Sequence, residues 1–150
     1  MGKQTTTTKM EIKSEFFTLA ELTASETAAR HKINNSPSAE IIGNLQYGVD
    51  MVLDPLRRLY GNPIRINSGY RCNELNKIVG GVANSWHLKG NAADIHIASA
   101  AEAKILFNNL QKLPSVDTVL FEHSKNAQWL HVQWDKTRTP RHHFNFNFQA

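Results

Sequence analysis

The stretch "NSWHLKGNAADIHI", residues 84–97, decides how the chain is read. It sets His87 in a loop, Asp94 further along, and another polar side chain, His96, in apolar surroundings. Between the first two, "LKGNAA" supplies small residues that let a backbone double back tightly. The following "AADIHI" reads as a strand, so Asp94 and His96 share one strand face about 6.5 Å apart.

Immediately upstream, "SGYRCNELNKIVGG" reads as a turn, a short helix from about Cys72 to Val79 and a paired-glycine stop. Before it, "PIRIN" alternates apolar and polar as a strand does. Further back, Ile42, Leu45, Val49, Val52, Leu56 and Leu59 recur at steps of three and four, the spacing of one buried helix face. Ser36 and Pro37 in "NNSPSAE" are placed to start that helix, and Gly61 and Asn62 to end it. Pro55 lies inside it, lacks a backbone donor and clashes with the preceding turn, which predicts a kink or break near residues 52–54. Two short helical pieces are expected earlier, at Leu19–Leu22 and Ser25–His31.

Downstream, "SAAEAKILFNNLQKL" reads as a helix with Ala103, Ile105, Leu106 and Leu110 inward. "DTVLFE" and "WLHVQW" read as two strands separated by the polar loop "HSKNAQ". Helices first, strands later and short connections between the last strands predict an α+β domain with a mostly antiparallel sheet.

A chain of 150 residues fits one domain, assigned to residues 16–135, after a flexible leader at 1–15 that contains "TTTT". Residues 136–150, with "KTRTPRHH", are expected as a basic, solvated C-terminal tail. A single cysteine, Cys72, excludes an internal disulfide and a thiolate zinc cluster. No apolar run has the length of a signal-peptide core or a membrane span, so a soluble chain without membrane insertion is expected, cytoplasmic in location and monomeric. The net charge of +4 and pI near 9.3 favour a polyanionic neighbour such as an anionic cell wall. The basic residues are scattered rather than striped with aromatics, which argues against nucleic acid as the partner.

A catalytic zinc takes three protein ligands and keeps one open position, and histidine with carboxylate can supply it without sulfur. His87, Asp94 and His131 are the candidates. His131 lies centrally in the apolar "WLHVQW", where a polar side chain needs a partner. Neighbouring antiparallel strands lie about 4.8 Å apart and could bring it to Asp94. His96 competes as a ligand but is expected beside a metal rather than on it. Alone, each histidine also fits a capping or core role.

Taken together, "SGYRCNELN", "GG", "SWHLKGNAADI" and "WLHVQW" resemble the signature blocks of the zinc D-alanyl-D-alanine carboxypeptidase family, whose phage and bacterial members cut peptidoglycan peptides. The likeness runs from about Phe16 to Gln133. The family's pattern of Ser, one residue, His, two residues, Gly, one residue, Ala, one residue, Asp falls on Ser85, His87, Gly90, Ala92 and Asp94. The resemblance implies a Zn2+ cofactor held by His87, Asp94 and His131, in the cleft of a small antiparallel sheet flanked by helices, a fold shared with lysostaphin-type peptidases and the hedgehog domain. It also implies that Arg71 binds a substrate carbonyl or carboxylate, for which a permanently charged guanidinium fork is suited. Ser85, Trp86 and His96 are the further substrate-binding candidates, Trp129 and Trp134 could line the cleft or the core, Tyr70 is expected to pack the loop, and Cys72 is expected to be an inert buried thiol.

The implied activity is hydrolysis of peptidoglycan stem or cross-link peptides by a zinc-activated water, as a D,D-carboxypeptidase or endopeptidase of phage or prophage endolysin type, acting on the wall after release or from a virion. Such chemistry needs a proton carrier. One branch of the family has a glutamate three residues before the last histidine, where this chain has Gln128. Other branches place it at the end of the preceding strand, which points to Glu122, with His123 as a weaker substitute. The alternative reading is a catalytically silent zinc-containing wall-binding or virion module, and the direction of Glu122 separates the two.

Overall fold

The structure, a computed structural model, describes residues 11–146. It is α+β, as the sequence predicts. Two short helices, α1 (Leu19–Thr23) and α2 (Glu26–Arg30), lead to α3 (Ala39–Gly48). A single π-helical turn, Val49–Leu53, joins α3 to α4 (Asp54–Tyr60). Then come β1 (Ile66–Ser68), α5 (Asn73–Ile78), a 3-10 turn at Trp86–Lys89, β2 (Ala92–His96), α6 (Ala100–Leu110), β3 (Thr118–His123), β4 (Gln128–Gln133) and β5 (His143–Asn145).

The helix starts follow capping chemistry. Thr18, Ser25, Ser38 and Ser99 each accept a backbone N–H of the first turn through the side-chain oxygen. The cap of α3 is therefore Ser38 and not Ser36, because Ser38 Oγ is the one that receives the Ile41 N–H, at 3.3 Å.

The backbone stays right-handed helical through the segment before Pro55, so the interruption expected there is a π turn and not a chain break. The N–H of Asp54 reaches back five residues to the Val49 carbonyl, which widens the helix by one residue just before the proline. That extra residue rotates the buried stripe, so Leu53 and Leu56 are fully buried and Leu59, expected inward, is 48% exposed. In α6 the stripe is Ala103, Leu106, Phe107 and Leu110. Ile105, also expected inward, is 51% exposed, because two residues after Ala103 lie about 200° round the helix.

The sheet order is β1-β2-β4-β3-β5, antiparallel throughout except for the parallel pair β3–β5. Ladder pairs align Asp94 with His131 and Leu120, and His96 with Trp129 and Glu122. Side chains alternate along strands, so these residues share one face and Ala93, Ile95, Leu130, Val132, Val119 and Phe121 share the other. The second face is buried in one cluster with Ile42, Leu45, Val52, Leu106 and Leu110 of the helices. Each such aliphatic side chain contributes about 1.5–3 kcal/mol when fully buried. The helices thus cover the apolar face and leave the polar face free for a site.

Trp134, just after β4, is fully buried and donates its indole N–H to the carbonyls of Asn44 and Gly90. It belongs to the core and not to a cleft. Gly48 accommodates it, since a Cβ there would lie 2.0 Å from a Trp134 ring carbon.

Both chain ends differ from expectation where they are described. Of the leader, residues 1–10 lie outside the described residues, but Ile12 is buried in the core. The expected solvated tail supplies β5, and Phe144 and Phe146 pack on Phe107 at 6.1 and 4.9 Å between ring centroids. Residues 147–150 lie outside the described residues. Among those described, no helix is long and apolar enough to cross a membrane.

Candidate active site

His87 owes its position to the tight turn legible in "SWHLKG". Ser85 Oγ accepts the His87 N–H at 3.2 Å, and Gly90, at φ 74°, closes the turn by returning its N–H to the carbonyls of His87 and Trp86. A left-handed residue there is natural for glycine, and a Cβ would also meet Ile41 at 2.9 Å. The His87 imidazole is held by Nδ1, 2.6 Å from the Gly69 carbonyl. Its Nε2 lies 3.2 Å from Asp94 Oδ1.

His131 approaches the same carboxylate oxygen from β4, with Nδ1 at 2.9 Å, and its Nε2 lies 2.8 Å from Gln133 Oε1. The two rings are 5.1 Å apart between centroids. All three residues are buried, and their donor atoms lie within 4.8 Å of one another, so they could hold a metal ion.

The chemistry of this donor set fits a cation. A carbonyl only accepts, so His87 Nδ1 carries its proton and the neutral ring turns a lone pair at Nε2 toward Asp94. With Gln133 Oε1 accepting from His131 Nε2, Nδ1 of that ring does the same. Two lone pairs and an anionic oxygen then converge on one point, an arrangement that repels unless positive charge lies between them. A proton on a ring nitrogen facing Asp94 relieves the same repulsion, and the titration tendencies reflect that. Burial alone would raise the Asp94 pKa, but the two imidazoles hold it well below the usual carboxylate range. Burial alone would lower that of His131, and the Asp94 carboxylate beside it raises it instead.

The trio opens on a cleft of about 400 Å3 that is also lined by Arg71, Ser85, Trp86, Glu122, Trp129 and Gln133. Arg71, after β1, donates its backbone N–H to the His87 carbonyl and holds its Nη2 3.4 Å from Ser85 Oγ. Its Nε is buried with no partner among the described residues. Burial lowers its pKa while Asp94 and Glu122 oppose that. Glu122 is half-buried on the site face, and its Oε1 accepts the Trp129 indole N–H at 2.9 Å.

His96 is placed elsewhere. It shares the face by register but sits exposed at the end of β2, outside the cleft lining. His123 and Gln128 are likewise outside the cleft lining, paired at the far end of the β3–β4 ladder. Tyr70 is buried against the core, and Cys72 is a half-buried free thiol.

Two parts of the site were not anticipated. Gln133 carries a usable signal, since it lies two residues after His131 and therefore on the same strand face. The Gly69 carbonyl has none, being a backbone atom brought in by the fold.

A buried His-Asp-His group at the mouth of a cleft, on the polar face of an α+β sheet, defines a candidate metal-dependent hydrolase. The family model described as Peptidase M15 matches residues 15–133, and the chain belongs to that family of peptidases. A search of curated proteins finds no match.

Proposed function

We propose that the chain is a zinc-dependent hydrolase of peptidoglycan stem or cross-link peptides, of the kind phage and prophage endolysins use, acting on the wall after release. The observation that carries this reading is the convergence of His87 Nε2, Asp94 Oδ1 and His131 Nδ1 beside a half-buried arginine and a carboxylate in one cleft. When bound, zinc supplies a Lewis acid that polarises the scissile carbonyl and acidifies an attacking water.

The protein's own groups do the rest. Arg71, which lines the cleft, binds a substrate oxygen through its guanidinium. Glu122, oriented by the Trp129 N–H, takes the proton of the attacking water and returns it to the leaving amine. Ser85 holds the turn under His87 and steadies Arg71, and Trp86 forms a wall for the substrate. A second groove of about 650 Å3 also includes Arg71 and Val79 in its lining, which supports a peptide that continues past Arg71 and so favours endopeptidase over carboxypeptidase action.

The test is digestion of purified peptidoglycan and its soluble stem peptides, with and without chelator, with products identified by mass spectrometry. An internal cut in the stem or cross-bridge is the expected product, and released D-alanine would mean carboxypeptidase action. Gln128, an amide where one branch of the family has its glutamate, favours a silent wall-binding module. That module is the answer if zinc binds stoichiometrically and no wall type is cut.

A further inference from the structure

The family match ends at residue 133, yet the described fold continues to 146 and returns to the cleft. After Trp134 the chain turns, and β5 pairs with the outer edge of β3, His143 opposite Thr118. That pairing brings Arg138 and Arg141 to Asp117, whose side chain is 1% exposed. Arg141 donates its backbone N–H to Oδ1 at 2.9 Å and its Nη2 to Oδ2 at 2.7 Å, and Arg138 Nη2 lies 3.3 Å from Oδ2. The same two guanidinium groups lie over the Trp86 indole, 4.6 Å from the ring centroid for Arg138 and 5.3 Å for Arg141. Trp86 precedes the metal-site residue His87 and lines the cleft.

We propose that residues 135–146 form a strap that sets the Trp86 ring as a wall of the cleft, with Arg138 and Arg141 as positioning residues anchored on Asp117. Trp86 sits on a four-residue 3-10 turn, which alone gives a large indole little to pack against. A planar guanidinium stacked on an indole face holds the ring by cation–π attraction and by contact area together. Asp117 fixes the guanidinium planes, since a buried carboxylate accepting several charge-assisted bonds holds its partners in one geometry. The strap therefore acts on substrate through Trp86, at one step's remove from the chemistry. Its effect on catalysis rests on the peptidase reading, whereas its effect on the indole does not.

The experiment labels the full, zinc-loaded chain with 5-fluorotryptophan, giving one fluorine resonance for each of Trp86, Trp129 and Trp134, with Trp86 identified through Trp86→Phe. The double variant Arg138→Ala/Arg141→Ala is expected to shift and broaden the Trp86 resonance while that of core Trp134 stays put. KM for a stem peptide should rise about 10-fold with kcat within about two-fold, as expected when a substrate wall is loosened without touching the reacting groups. The corresponding double lysine variant keeps the charge without the planar stack and should restore neither readout fully. Should Trp134 also move, Arg138→Ala alone, which keeps the Arg141–Asp117 contacts, gives the same two readouts in a folded chain. An unchanged Trp86 resonance, or a loosened Trp86 with unchanged KM, overturns the proposal. A wild type that cuts nothing overturns the peptidase reading instead, and the Trp86 resonance still decides whether the strap positions the ring.

Discussion

Asp94 Oδ1 meets both imidazoles, so the site's integrity depends on single atoms. Asp94→Asn is expected to abolish stoichiometric zinc binding, measured by elemental analysis of dialysed protein, because the amide offers no anionic oxygen to balance the cation. Glu122→Gln should behave oppositely, retaining zinc while losing peptide hydrolysis by roughly 100- to 10,000-fold, the span typical of removing a proton carrier. Gln133→Leu removes the acceptor that fixes the His131 tautomer, and zinc affinity should fall by about 10–100-fold in a competition titration. The three candidate metal-site residues stood out as polar side chains in an apolar strand and a tight turn, but the family resemblance, and not their spacing, grouped them as ligands. Which residue faces the cleft was less legible. Period-two alternation assigns His96 to the correct face, but only the length of β2 decides that it emerges at the exposed end.

At the scale of elements, the segment from α3 to α4 carries the sheet, and its register depends on one extra residue. Steps of three and four identified Ile42, Leu45, Val49, Val52 and Leu56 correctly, and the proline signalled the interruption. They could not identify the π turn, since its cause is the balance of a lost donor at Pro55 against burial of Leu53, a tertiary effect. Leu53→Ala should therefore cost about 2–5 kcal/mol in urea denaturation, and Leu59→Ala within about 0.5 kcal/mol. Equal losses at both positions would mean that the helix runs through without the extra residue. Gly48→Ala is a sharper probe of the same segment, because its methyl would fall inside the Trp134 ring and force helix and sheet apart. A loss of roughly 3 kcal/mol is expected, large for one added carbon.

Across the whole molecule, the surprise is that the chain end closes the sheet edge. The signal was present, since "HFNFNF" at 143–148 alternates with period two, but the adjoining basic run reads as solvated when its partner is unknown. That partner, Asp117, lies 24 residues from Arg141 and is joined to it only by folding. Burial alone would raise the Asp117 pKa, but the hydrogen bonds from Arg141 and Thr118 bring it from 3.8 to about 2. A carboxylate whose pKa is lower in the folded than in the unfolded chain stabilises the fold above its unfolded value and ceases to do so as pH falls through its folded value. The contribution, on the order of 2 kcal/mol, should be complete above about pH 4 and gone below about pH 2. Urea denaturation of wild type and Asp117→Asn at matched pH isolates it from the other carboxylates. The stability difference should hold constant from pH 7 to about 4 and then shrink toward the acid end. A difference that stays constant down to pH 2 would mean that Asp117 supports the strap through packing rather than charge, and the arginines would then owe their places over Trp86 to β5 alone.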